Sequence, residues 1–532
     1  MTRPSSMLAR APASGNAGIS QTPVDTRDML AKRSERCQAS PRECARSRAA
    51  ALATERLEGA RGARGMIRSV PRRSRTRVFV LLVLLLLLVV VGGVSYLGWR
   101  QSVAGVRVSA SPPRLVGRNT PLTFALEATR GNVTTAEVRL AQGGAPVVLA
   151  RHDGGPAPRV ELKATLAPLG SGLREGAATV EVWARDDFWR PMRREDRAIE
   201  KFQVTIDVTP PKVEVLSTTP YVAPGGAGLV VFRALDASAA EARVGQQTYP
   251  TFPLGPEGTR VGLFALPYDF AGGTAISVTA RDEAGNAASR GIATEVLPRK
   301  FRRDRIEIRD PFLQAKVPEL LPQHPPSQPL VEGFLVINRD QRRQAEEEKR
   351  RVAARTAPRP LWEGAFLQPR NTKVFSNFAE TRTYVYQGRE IDTQVHFGYD
   401  LASTRQAPVP AANKGVVVFA GPLTIYGHTV ILDHGLGLMT LYGHLSSIAA
   451  KVGDAVERGQ ELGRTGSTGL AIGDHLHYEV LVHGVSVTPL EWWDAKWIRD
   501  RIAGPLRAAG LGDLAGAEVS VEKPRAEPAA SR

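Results

Sequence analysis

The sequence predicts a mainly β chain of several domains with a single transmembrane helix near its N-terminus. Three observations carry this. The 532 residues exceed the roughly 250 to 300 at which a single core stops growing. One uncharged run, Val78–Trp99, is long enough to cross a bilayer. The text after it breaks into short alternating stretches, and 50 Gly and 38 Pro favour turns and strands over long helical bundles. A hydrophobic share of 42% excludes a wholly disordered chain.

Residues 1–77 are low in pattern and are expected to be a disordered cytoplasmic segment. They hold 17 Arg and Lys against 6 Asp and Glu, a net of +11 out of the chain's +17. The basicity is therefore mostly one segment's property. No interleaving of basic and aromatic residues follows it, so no nucleic-acid partner is expected. Both cysteines, Cys37 and Cys44, lie here and read as incidental thiols, which leaves no disulfide framework downstream. Translation is expected to start at Met66, 12 residues before the apolar run.

That run, VFVLLVLLLLLVVVGGVSYLGW, has 22 residues. At about 1.5 Å per residue it spans a hydrocarbon core of about 30 Å. Arg72, Arg73, Arg75 and Arg77 crowd its N-terminal side, and Tyr96 and Trp99 form an interfacial belt at the other. This places residues 78–99 in the inner membrane as one uncleaved span, with the N-terminus cytoplasmic and the later domains periplasmic. A cleaved signal peptide fits less well, because the run exceeds the usual 7 to 15 residues and no small-x-small site follows closely.

Between 105 and 298, stretches such as TTAEVRLAQ, ATVEVWARD, KFQVTIDV and AISVTARD alternate between turns. Spacing of roughly ten residues per strand predicts β-sandwiches. Thr209–Pro210–Pro211 is a natural joint, which gives two immunoglobulin-like modules, 105–208 and 209–298. VTARDEAGNAA, turning at Asp282–Asn286, resembles the final hairpin of bacterial immunoglobulin-like repeats. Residues 299–355 read as a Pro-rich linker followed by a charged helix, RDQRRQAEEEKRRVAART, with acid and base at helical spacing and solvated faces. Residues 498–532 read as a short helix and a disordered tail.

The chemistry concentrates in 356–497. Seven of nine histidines fall between 396 and 483, organised as HFGYD (His396, Asp400), LYGHLS (His444) and GDHLHYEV (His475, His477). A catalytic zinc site needs about three His, Asp or Glu ligands and an open position, which these patterns can supply. On a strand His475 and His477 share one face while Leu476 packs behind. Gly398 permits a tight turn between His396 and Asp400. Further histidines remain for a general base and for oxyanion stabilisation. His434, His428 and His483 read as turn or cleft-rim residues, and His152 and His324 carry no pattern. From these residues alone the prediction is zinc-dependent amide hydrolysis in an open groove outside the membrane.

HxxxD, YxHL and HxH in this order resemble the lysostaphin/LytM-type zinc metallopeptidases, from about Phe366 to Trp493, including GHTVILDHGLGLMTLYGHLSS and KVGDAVERGQELGRTGSTG. No signature position departs from the pattern. The resemblance implies that His396, Asp400 and His477 bind one Zn²⁺, that His475 is the general base and that His444 stabilises the transition state. It implies an antiparallel β half-barrel with a groove, Gly466–Gly473 offering close backbone access to a peptide, and hydrolysis of crosslinks or stem peptides of bacterial peptidoglycan. Envelope regulatory proteins are possible partners under this reading. The competing functions are a non-enzymatic module that activates an amidase or recruits division or elongation partners, and a tether whose zinc is structural. A lipoyl-type carrier is disfavoured, since no Lys sits at a hairpin tip.

Overall fold

The computed structural model of the protein describes residues 73–193 and 197–512. The expectations for Cys37, Cys44, Met66 and the final tail fall outside them. Helix α1, Arg73–Ser102, contains the apolar run and is long and apolar enough to cross a membrane. The described residues that follow are mainly β, with helices between 310 and 353 and short ones around 489–508.

In residues 106–206, a three-stranded sheet (Val106–Ser109, Leu122–Ala128, Arg159–Ala164) and a five-stranded sheet ordered Leu115–Val116, Glu200–Ile206, Gly176–Asp186, Val133–Ala141, Val147–Arg151 contribute to one buried cluster. Alternation makes this possible: Leu122, Phe124 and Leu126 point one way, Thr123 and Ala125 the other. Residues 212–296 hold two four-stranded sheets and a two-stranded parallel pair. The expected turn is present there: Asp282 accepts hydrogen bonds from the Asn286 backbone N–H and side-chain amide, at 2.8 and 2.9 Å. The amide of Asn286 also reaches Asp207 O, 2.9 Å away, beside the Pro joint.

The C-terminal sheet runs in the order Lys373–Ser376, Tyr399–Ala402, Leu476–Val482, Leu438–Leu445, His428–Asp433, Gly415–Pro422, Ala455–Val456, antiparallel throughout. It curls into a half-barrel. Its residues Leu401, Tyr442 and Tyr478, with Trp492 of the helix that follows, belong to the same buried cluster as Phe232 and Phe264 of 212–296. The second β module and the C-terminal domain are thus joined by a shared core. Buried Glu491 accepts from Ala227 N–H and Arg299, and Thr219 Oγ1 donates to Arg501 O.

Of the expected linker and solvated charged helix, 299–355, the helix is present, but it is packed on one side and the linker is structured. Arg303–Ile308 is a strand that pairs in parallel with Glu380–Tyr386, which pairs in turn with Arg389–His396. Helices α2 (Asp310–Leu320), α3 (Leu330–Val336) and α4 (Arg342–Ala353) bury Leu313, Val317, Phe334, Ala345 and Val352 against Ile431, Leu441 and Leu481 of the main sheet. The alternating charges of α4 conceal a buried stripe, Ala345–Lys349–Val352, at helical spacing.

Candidate active site

Three neighbouring strands bring the HxxxD, YxHL and HxH residues together. Asp400 lies directly opposite His477 across one strand pair, and Gly443, just before His444, lies opposite His477 across the next. His396 ends the adjoining strand Arg389–His396. All five predicted residues, His396, Asp400, His444, His475 and His477, are at least 94% buried, at 4, 4, 6, 6 and 4% exposure. They line one cavity of about 340 Å³ together with Phe375, Phe397 and Tyr384.

Hydrogen bonds set the histidine tautomers. His396 Nδ1–H donates to Asn377 O at 2.9 Å, leaving Nε2 bare. His477 Nε2–H donates to Glu479 Oε1 at 2.9 Å, leaving Nδ1 bare. These two nitrogens and Asp400 Oδ1 converge: 3.0 Å from His396 Nε2 to Oδ1, 2.9 Å from His477 Nδ1 to Oδ1, and 3.1 Å between the nitrogens. Three lone pairs facing one another repel unless a positive charge sits among them. Ligands about 2.0 to 2.1 Å from a tetrahedral ion lie about 3.3 Å apart, so the triangle needs to open by only a few tenths of an ångström. His396, Asp400 and His477 therefore fit a metal ion.

Electrostatics agree. Burial pushes His396 down to about 4, so its ring is neutral near pH 7 and free to ligate. Burial would raise Asp400, but the pull of His396 first, and of His475 and His477 after it, outweighs this and holds the carboxyl well below its usual range. Burial would lower His477, yet Asp400 and Glu479 on its two sides raise it. The centre attracts positive charge.

His475 and His444 face the same cavity. His475 Nδ1–H donates to Gly473 O at 2.7 Å and His444 Nδ1–H to Thr468 O at 2.8 Å, which leaves both Nε2 atoms bare. Their rings are 4.8 Å apart, and His475 Nε2 is 3.5 Å from Asp400 Oδ1. His444 has φ +62, a left-handed conformation uncommon outside Gly and typical of functional positions. Burial and then the neighbouring His475 and His477 hold its ring well below the normal histidine range.

Some expectations change. Gly398 does not have the left-handed φ of a glycine turn; it is needed because a Cβ there would meet His477 Nε2 at 2.6 Å and Tyr478 O at 2.7 Å. His434 is neither turn nor rim: it is fully buried, bonded to Lys414 O and Thr440 Oγ1 at 2.6 and 2.8 Å. His483 does occupy a hairpin turn, at φ +50. Sequence reasoning missed Arg382, whose guanidinium donates to Asp400 Oδ2 at 2.9 Å, and Glu479 behind His477. Glu479 was within reach, since it is two residues after His477 on the same strand face. Arg382 carries no local signal because only strand pairing brings it to the site.

The fold and site together define a cleft on a curled antiparallel β sheet whose His–Asp–His set fits a metal ion. Residues 394–489 match Peptidase family M23 and form a domain of that family. The chain is 40% identical over 97 residues to "DD-carboxypeptidase/endopeptidase Mpg" of Neisseria meningitidis serogroup B, covering 18% of this chain and 22% of the relative. It is 38% identical over 119 residues to "Peptidoglycan DD-endopeptidase ShyA" of Vibrio cholerae, covering 22% and 27%. The chain thus spans about a quarter of the length of these relatives. The solved catalytic domain of lysostaphin from Staphylococcus simulans is 28% identical, covering 23% of this chain and 92% of that one, with a TM-score of 0.20.

Proposed function

We propose that this protein is a zinc metalloendopeptidase that hydrolyses peptide crosslinks or stem peptides of peptidoglycan. In this reading α1 holds it in the inner membrane, with the N-terminus cytoplasmic and the catalytic domain periplasmic. The carrying observation is the triangle of bare acceptor atoms, His396 Nε2, Asp400 Oδ1 and His477 Nδ1, which would hold the ion. The M23 match and the names of the relatives supply the substrate class.

The zinc would supply Lewis acidity toward the scissile carbonyl and acidify the attacking water. His475 Nε2, bare and turned into the cavity, takes the proton from that water and passes it to the leaving amine. His444 sits beside it, the two rings 4.8 Å apart, and would help to stabilise the transition state. Arg382 and Glu479 orient Asp400 and His477 from behind. The β modules, which we read as immunoglobulin-like, carry the site away from the bilayer.

The test is digestion of purified crosslinked muropeptide dimers by the detergent-solubilised full-length protein. Dimers should become monomers, a chelator should stop the reaction and added Zn²⁺ should restore it. His475→Ala and His477→Ala should both be inactive. Dimers left intact by the metal-loaded protein, with both variants still complementing a deletion, would instead support a non-enzymatic envelope role.

A further inference from the structure

Helix α4 lies outside the M23 match, yet one of its side chains contacts Glu479, the hydrogen-bond partner of His477. Lys349 is fully buried. Its Nζ lies 2.9 Å from Glu479 Oε2 and 2.6 Å from Glu346 Oε1, and donates to Tyr426 Oη and Ser486 Oγ, each at 3.2 Å. Glu479 is also fully buried. Its Oε2 accepts from Ser486 at 2.8 Å and its Oε1 from His477 Nε2–H at 2.9 Å.

A carboxylate removed wholly from water persists only when its charge is compensated and its oxygens are hydrogen-bonded. The main sheet supplies this carboxylate, but the lysine or arginine that pairs with it comes from α4. The chain of contacts therefore runs from α4 through Lys349 and Glu479 to the Nε2 face of His477, opposite the nitrogen that faces Asp400. A partner on that outer nitrogen fixes a ligating histidine's tautomer and ring angle.

We propose that Lys349 is a positioning residue of the metal centre: by holding the Glu479 carboxylate it keeps His477 oriented with Nδ1 bare toward His396 and Asp400. The inference rests on the reading of these three residues as metal ligands. It makes residues 303–353 part of the catalytic unit, although the family match begins only at residue 394.

The experiment compares detergent-solubilised full-length wild type, Lys349→Met and the double variant Lys349→Met/Glu479→Gln. Zn²⁺ affinity is measured by competition with a chromogenic chelator, and the Co²⁺ absorption spectrum is recorded as a signature of ligand geometry. Lys349→Met should weaken Zn²⁺ binding about 10- to 100-fold and alter the Co²⁺ spectrum. The double variant should recover to within about threefold of wild type, because a Gln oxygen still accepts from His477 Nε2–H and no buried charge is stranded. A merely structural lysine would not give this rescue. If Lys349→Met fails to fold, the double variant alone decides. The proposal is overturned if Lys349→Met binds within about twofold of wild type, or if the double variant binds as weakly as the loss predicted for the single one. Wild type that takes up no Zn²⁺ would overturn the metal-site reading as well, whereas normal wild-type binding with an unaffected Lys349→Met overturns this proposal alone.

Discussion

At the scale of single residues, the site separates side chains that would hold the ion from those that hold the ligands. Arg382 is of the second kind, and Arg382→Ala leaves Asp400 without its 2.9 Å partner. Metal affinity should fall about 10- to 100-fold, read by chelator competition, while circular dichroism stays that of the wild type. His434 is buried yet distinct from the predicted ligand set, so His434→Ala should lower stability by about 2 to 4 kcal/mol in denaturant titration without changing metal content. Burial pushes His434 down to about 4 from an ordinary 6.5. Above pH 6.5 neither folded nor unfolded chain protonates this ring. Below it the unfolded chain takes up the proton first, so stability falls from about pH 6.5 down to about 4. Between pH 7.5 and 5 the metal-free wild type should lose about 2 kcal/mol more than His434→Gln; equal losses would show that another group dominates.

At the scale of elements, the strand–turn–strand carrying His396 and Asp400 depends on the missing Cβ of Gly398. Gly398→Ala should displace His477 and reduce bound zinc by elemental analysis with little loss of secondary structure. The Gly466–Gly473 loop, beside His475, is clamped by α2: Lys316 Nζ donates to Ser467 O at 2.7 Å, and Gly469 N–H donates to Glu319 Oε1 at 2.9 Å. Glu319→Ala should raise amide hydrogen exchange across 466–473 and lower kcat more than it raises KM, because the loop positions His475 through Gly473 O. Strands around the site follow apolar and β-branched stretches punctuated by Gly: HTVILD, LMTLYGHL and LHYEVLV each form one, the last carrying His477 as expected. Helix α4 was legible as a helix, but its buried face was not. Its sequence is dominated by charge, and the burial of Lys349 depends on a glutamate 130 positions later.

At the scale of the whole molecule, residues 106–206 have their own core, whereas 212–296 share one with the C-terminal domain. Calorimetry of the solubilised protein should therefore resolve two cooperative transitions, one for the first β module and one for 209–512 together. Separate melting of 209–298 would contradict the shared core. The last helices take part in it too, with Ile498, Ile502 and Leu506 buried there.

The sequence by itself determined whatever depends on local spacing: the apolar run, the strand periodicities, and the three histidine patterns with Asp400. These are written within a few residues of one another, where period 2 and helix length act directly. Tertiary structure alone decided which distant residues support them. Arg382 behind Asp400, Lys349 behind Glu479, and the second β module fused to the catalytic sheet all depend on contacts between segments remote in sequence, and burial can turn a residue that reads as a solvated surface charge into a paired one in the core.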